Sequence, residues 1–172
     1  MVIANLGKFK YVIIFELSKS YFCFMLTNAC KYAIRAVIYL VMYADSENKI
    51  GAKIIAKDLQ VPQPFLAKLL KDLAGKGIIS SSKGPGGGFY LTKENQDNTL
   101  WDVIISISDG SRFDECFLGL VKCNNDNPCP VHYAVVPFKK KLLADFKQKT
   151  IRAIVEEVKT NGTAITLGKL TV

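Results

Sequence analysis

A mainly α-helical fold carrying one small β-hairpin is what this sequence predicts. Three observations predict it. Apolar residues recur at helical spacing from residue 27 to residue 73 and again between 99 and 158. Two short β-prone runs, "IISSS" and "FYLT", flank the glycine-rich tip "KGPGGG". Helix start and stop residues stand at the ends of the periodic stretches.

Taken in order, "TNACKYAIRAVIYLVMYA" (27–44) presents a wide apolar face behind an N-cap at Thr27 or Asn28. The polar turn "SENK" follows. "IGAKIIAKDLQ" reads as a short second helix carrying Ile54, Ile55 and Leu59. "VPQPFLAKLLKDLAGKG" reads as a third, with prolines early, where a helix tolerates them, and Gly75 or Gly77 closing it. Its apolar set is Phe65, Leu66, Leu69, Leu70 and Leu73, which leaves Gln63, Lys68, Lys71 and Asp72 for solvent or a ligand. The hairpin comes next, giving three helices and then two strands, the layout of a winged helix-turn-helix. "TLWDVIISISDG" (99–110) opens on a Thr99–Asp102 start signal and ends at Gly110. An irregular cysteine-bearing loop follows. Helical patterns return from about Val131 to Phe146 and from Ile151 to Val158, with Asn161-Gly162 as the stop.

The 172 residues are 49% apolar, enough for a real core. A net charge of +8 points to an anionic partner, nucleic acid or membrane surface. No stretch reaches the roughly 20 apolar residues of a membrane helix. The first 24 residues, "MVIANLGKFKYVIIFELSKSYFCF", have too short an apolar run for a signal peptide and no small-x-small cleavage site after it. Met25 is therefore the expected functional start and residues 1–24 an extension. A cytoplasmic location and no membrane partner are expected, and there clustered cysteines bind metal or sense redox state rather than form structural disulfides.

The glycine tip is not a phosphate loop. Lys83 precedes the glycines instead of following them, and "FYLT" is strand-like, not helical. The spacing of Gly84, Gly86 and Gly88 also misses the dinucleotide pattern. A tight turn or a DNA-contacting wing remains, and the three helices ahead of it favour the wing. The expected DNA-binding set is Gln63, Pro64, Lys68 and Lys71 on the third helix with Lys83, Gly84, Gly86 and Gly87 on the wing.

"CFLGLVKCNNDNPCPVH" (116–132) has the spacing C-x6-C-x5-C-x2-H and holds the chain's single histidine. Cysteine thiolates hold iron–sulfur clusters, and histidine can replace one of them. Zinc accepts the same donors, which would suit a zinc-dependent RNA-binding or interaction module. A thiol switch, as in a cluster-free thiol-sensing repressor, needs only two of the cysteines. Inert burial is the fourth reading.

"MLTNACKYAIRAVIYL", "IIAKDLQVPQPFLAKLLKDLAGKGII", "SSSKGPGGGFYL", "TLWDVI" and the cysteine loop, in that order, resemble the Rrf2 family of bacterial transcription regulators, and its iron–sulfur branch in particular. The resemblance runs from Met25 to about Val158, with the "GPGGG" wing its most distinctive mark. It implies a homodimer on palindromic, double-stranded promoter DNA, with the C-terminal helices as the dimer contact. It also implies a [2Fe–2S] cluster held by Cys116, Cys123, Cys129 and His132, the first gap being one residue longer here. Another branch takes its fourth ligand from an acidic residue of the partner's first helix. The matching position is near Lys31, which favours His132, with neighbouring Cys30 a possible substitute from across the dimer. Arginine is frequent in the family where Lys83 stands, and lysine lacks its planar fork.

Cys23 and Cys30 default to burial or no role, and Trp101 to packing. "KKK" (139–141) reads as a solvated helix face that adds to the DNA field. Neither a Ser/His/Asp set nor paired carboxylates stand out, so a non-enzyme is expected. The resulting organisation is an extension (1–24), a winged helix-turn-helix (25–98), a connecting helix (99–110), a sensor loop (111–131), dimerisation helices (132–160) and a tail (161–172).

Overall fold

A computed structural model describes residues 25–161. The expectations for residues 1–24, Cys23 included, and for the tail beyond Asn161 lie outside the described residues. Six helices and one hairpin follow in order among the described residues: α1 (Asn28–Tyr43), α2 (Ala52–Leu59), α3 (Gln63–Gly75), β1 (Ser80–Ser82), β2 (Gly88–Tyr90), α4 (Leu100–Ile107), α5 (His132–Gln148) and α6 (Ile151–Asn161). Short 3-10 turns stand at Asn95–Asp97 and Ser111–Phe113.

α1 starts at Thr27, whose hydroxyl accepts the Cys30 N–H at 3.1 Å. Its buried stripe runs through Ala33, Ala36, Val37 and Leu40 and meets Ile55 and Leu59 of α2 and Leu66, Leu70 and Leu73 of α3. Each of these large side chains contributes about 1.5–3 kcal/mol by leaving water. The α2–α3 turn is set by Gln60, in the left-handed region at φ 55°, and closed by the Val61 N–H donating to the Ala56 carbonyl at 3.0 Å. Arg35 of α1 donates to the Leu59 carbonyl at 2.9 Å and so covers the open end of α2. The helix pair is thereby held at a fixed angle by backbone groups as well as by leucines.

Two expected core residues are not in it. Ile54 is 55% exposed, because the buried stripe of the eight-residue α2 passes through Ile55, Ala56 and Leu59. Phe65, 40% exposed in the first turn of α3, packs edge-on against Tyr32 with ring centroids 5.9 Å apart. The strands are also shorter than the runs that announced them, since Ile78, Ile79 and Leu91 turn inward to the core. The hairpin is antiparallel with Ser80 opposite Tyr90, Ser81 opposite Phe89 and Ser82 opposite Gly88. Ile50 adds a one-residue third strand by exchanging both backbone hydrogen bonds with Phe89, at 3.0 and 2.9 Å.

α4 carries the expected start as a full capping box between Thr99 and Asp102. It stops at Ile107 rather than at Gly110. Gly110 instead precedes the second 3-10 turn at φ 75° beneath the Trp101 ring, where an added Cβ would stand 2.7 Å from the indole. A second core gathers Met25, Cys30, Ile104 and Phe113, with Trp101, Leu142, Leu143 and Phe146 packed on it. It fixes α5, which continues through Pro137, against α1 and α4. Thr99 and Thr150 form an isolated bridge in which Leu100 donates to Lys149 and Ile151 donates to Asn98, both at 2.9 Å.

Candidate functional site

Leu118, Leu120 and Val121 stay exposed in the segment between α4 and α5, and asparagines and backbone bonds shape it. Asn124 accepts from the N–H groups of Asp126 and Asn127 at 3.0 and 2.8 Å, and the Asn127 side chain donates to the Lys122 carbonyl at 2.7 Å. Gly119 donates to the Cys116 carbonyl at 2.9 Å from a left-handed conformation (φ 72°) that a side chain would strain. His132, the first residue of α5, donates its backbone N–H to the Cys129 carbonyl at 3.0 Å. These turns bring the sulfurs of Cys116, Cys123 and Cys129 within 4.8 Å of one another, and all are free thiols. Behind them lies a cavity of about 180 Å³, with Phe113, Phe117, Val135 and Leu143 among its apolar walls.

His132 is buried and aims one ring nitrogen at this group, with Nδ1 3.2 Å from the Cys123 sulfur. Its Nε2 lies 3.1 Å from the Asn125 side-chain oxygen. An amide oxygen can only accept, so in the neutral ring Nε2 carries the proton and Nδ1 keeps a lone pair toward the sulfur. That tautomer is the one able to coordinate a metal or to accept the thiol proton.

The thiols are not equivalent. Burial works against the Cys116 thiolate, but backbone hydrogen bonds from Leu120 and Leu118 and side-chain bonds from Cys123 and Cys129 outweigh it, bringing the thiol down to about 7. At Cys123 a backbone bond from Cys129 favours the thiolate. Burial, the side-chain bonds to Cys116 and Cys129, and the negative charge of Cys116 together push it the other way, so this thiol is raised. One thiolate is thus accessible near neutrality in a pocket of three, and thiolate is the form that binds metals.

Of "KKK", Lys140 and Lys141 are exposed and Lys141 pairs with Asp145 at 3.2 Å. Lys139 departs from the expected solvated face: it is 8% exposed, and its ammonium donates to the Glu115 carbonyl at 2.6 Å. The reason is periodicity. Lys139 stands seven residues after His132, two helical turns along α5, so both belong to the helix stripe that walls the cavity. Sequence reading missed Lys139, although the spacing could have revealed it; nothing in the loop sequence singles out Asn125. Cys30 is 1% exposed and packs in the second core, its sulfur 3.4 Å from the Ser108 hydroxyl, and so has the buried role that was its default.

The residues expected to contact DNA lie on other elements, α3 and the hairpin tip. Gln63, Pro64, Lys68 and Lys71 are exposed on α3, clear of its buried leucines. Lys83, Gly84 and Gly86 are exposed at the wing tip, and Gly87 is half-buried. Gly86 sits at φ 75°, and an added Cβ on Gly87 would come 2.4 Å from the Ser82 carbonyl oxygen. The tip therefore requires glycine for its shape.

A profile of the Rrf2 family, described as "Iron-dependent Transcriptional regulator", matches residues 26–157. An HTH-type transcriptional regulator of Aquifex aeolicus is 37% identical over 131 residues, 75% of this chain and 90% of its own length. The solved structure of T. potens IscR superposes with a TM-score of 0.58 at 21% identity, covering 81% of this chain and 91% of its own. That of CymR, the global cysteine regulator of B. subtilis, gives 0.59 at 18% identity, covering 76% and 95%. These two likenesses establish the winged-helix fold.

Proposed function

Because the chain belongs to the Rrf2 family of transcription regulators, we propose that it acts as a homodimer on promoter DNA and senses through a [2Fe–2S] cluster held by Cys116, Cys123, Cys129 and His132. One observation carries the sensor reading: three free sulfurs lie within 4.8 Å of one another, with an imidazole nitrogen 3.2 Å from the middle one. The family description as iron-dependent supports the choice of metal. The organisation into winged helix-turn-helix (25–98), connecting helix (99–110), sensor loop (111–131) and dimerisation helices (132–160) is part of the same proposal.

The donor set suits the group. Three thiolates and an imidazole match a cluster in which histidine replaces one cysteine. Cys116 needs little deprotonation cost at neutral pH. Asn125 accepts from Nε2–H and so turns Nδ1 of the neutral ring toward the sulfurs, and Phe113, Phe117, Val135 and Leu143 line the cavity beside them. When bound, such a cluster supplies a reversible one-electron couple and ligand bonds that can be lost and remade. Occupancy joins residues 116, 123 and 129 to the first turn of α5, so loop order and the placement of α5 become linked. On the DNA side, Lys68, Lys71 and Lys83 supply phosphate contacts, and Gln63 at the first turn of α3 reads a base edge. Two copies engage two half-sites together.

Anaerobic purification followed by iron, sulfide and zinc analysis tests the sensor. About two irons and two sulfides per subunit are expected, with colour lost in Cys116→Ala, Cys123→Ala or Cys129→Ala and a labile or spectrally altered centre in His132→Ala. Colourless protein with stoichiometric zinc would end the cluster reading and leave the DNA-binding reading standing. The three clustered sulfurs, with the imidazole beside Cys123, also suit a single tetrahedral zinc ion, the second reading that this geometry favours.

A further inference from the structure

Among the described residues, Lys139 is the lysine buried away from solvent, at 8% exposure. It shares the walls of the cavity with Cys116, Cys123, Cys129 and His132. Its ammonium donates a hydrogen bond to the carbonyl of Glu115, the residue before the first cysteine. A carbonyl oxygen satisfies one of three ammonium N–H groups and neutralises none of the charge. Burial works against the Lys139 ammonium and lowers its pKa, and the negative groups that oppose this and favour the charged form are Asp114, Cys116, Glu115 and Cys123, so two of the four are thiols of the cysteine loop. Asp114 and Glu115 are exposed and screened by water, whereas the two cysteines are half-buried beside the cavity.

We propose that Lys139 is the built-in counter-charge of the three-thiol centre. Its ammonium offsets the negative charge that three thiolates bring into the cavity, and so helps set how tightly they keep a metal and how readily that centre accepts an electron. The inference rests on the reading of Cys116, Cys123 and Cys129 as ligands, but not on which metal they hold. Three thiolates outnumber the two charges of a divalent ion, so a metal site here is anionic and gains from a nearby cation. Reduction of a cluster adds a further negative charge and gains more. The hydrogen bond to Glu115 holds the ammonium at the start of the loop, at the residue before Cys116.

Three variants of the full chain separate charge from packing. Lys139→Arg keeps the charge, Lys139→Gln keeps a donor for Glu115 without charge, and Lys139→Met keeps only the stem. Cobalt(II) affinity in competition with a chelator, read through sulfur-to-cobalt absorption, should fall about ten-fold or more in the Gln and Met variants and stay within about two-fold in the Arg variant. In anaerobically iron- and sulfide-loaded protein, the midpoint potential of a dithionite titration should shift down in the same two variants only. Cobalt affinities equal in all four proteins, or a Gln variant that behaves like wild type, would overturn the proposal. If cobalt affinities sort by charge but no cluster assembles in wild type, the cluster reading falls and the role of Lys139 stands. If the cluster assembles and affinities do not sort, the reverse holds. Thermal melts show whether the Met variant folds, and the Gln and Arg pair decides the matter without it.

Discussion

Asn95 makes more of the wing's geometry than its place in a three-residue turn suggests. Its side-chain oxygen accepts from the Ser80 hydroxyl at 2.8 Å, the Thr92 N–H at 3.0 Å and the Thr92 hydroxyl at 3.1 Å. Its amide nitrogen donates to the Gly77 carbonyl at 2.8 Å. One buried amide thus ties the end of α3, the first strand and the exit from the second. Asn95→Ala leaves several of these groups without a partner, and the expected loss is about 2–3 kcal/mol, or roughly 5–10 °C in Tm for a chain of this size. A Tm within about 2 °C of wild type would mean that water replaces the side chain. No sequence pattern announces such a residue, because its partners are fixed by tertiary structure. The three cysteines and His132 were legible for the opposite reason: their types are few and chemically specific, and they crowd into one short stretch. Lys139 was misread because three consecutive lysines resemble a solvated face, whereas helix geometry sends them in different directions.

At the scale of elements, α3 divides into a leucine face and a polar face that can be tested separately. Lys68→Ala and Lys71→Ala should weaken binding to all duplex sequences by similar factors, whereas Gln63→Ala should change the ranking of sites selected from random duplexes. Uniform losses for all three variants would remove Gln63 from base reading. The wing tip makes a sharper demand. Gly87→Val drives a side chain into the Ser82 carbonyl and Gly84 backbone, so DNA affinity should drop while the far-UV helical signal is retained. An unchanged affinity would show that the tip shape is unimportant for binding. The hairpin was legible from its glycines and flanking runs. Its one-residue third strand at Ile50 was not, because a single bridge across many intervening residues leaves no periodic trace. Ile54 and Phe65 were assigned inward by pattern alone, and short helices give too few turns for a pattern to fix which edge of the stripe is wet.

For the whole molecule, the proposed dimer makes two linked measurements. Sedimentation at micromolar concentration should give twice the monomer mass, and DNA affinity should fall steeply with salt as phosphate contacts release counterions. A monomer whose affinity is insensitive to salt would count against both reading heads. Among the described residues no helix is long and apolar enough to cross a membrane. The order of helices and hairpin was readable because α1, α3 and α4 carry strong periodicity, with side-chain caps on α1 and α4 and early prolines on α3, and the family match covers the same span. How the sensor loop meets the rest was not readable, since the second core joins residues far apart in the chain, Cys30 with Ile104 and Phe113.

The bridge between Thr99 and Thr150 gives this arrangement a fulcrum. α5 leaves the cysteine loop at His132 and hands over to α6 just where the Lys149 carbonyl and Ile151 N–H are fastened to the start of α4. α5 is held near this end by Leu142, Leu143 and Phe146 on the second core as well as by the pin, so a push at its loop end would tilt the helix rather than slide it. The arm between pin and loop is sixteen to seventeen residues of helix, about 25 Å, so a small rearrangement around the sulfurs would reach α4 and α6 as a small change of angle. Mechanical advantage, rather than distance of travel, is what such a lever delivers.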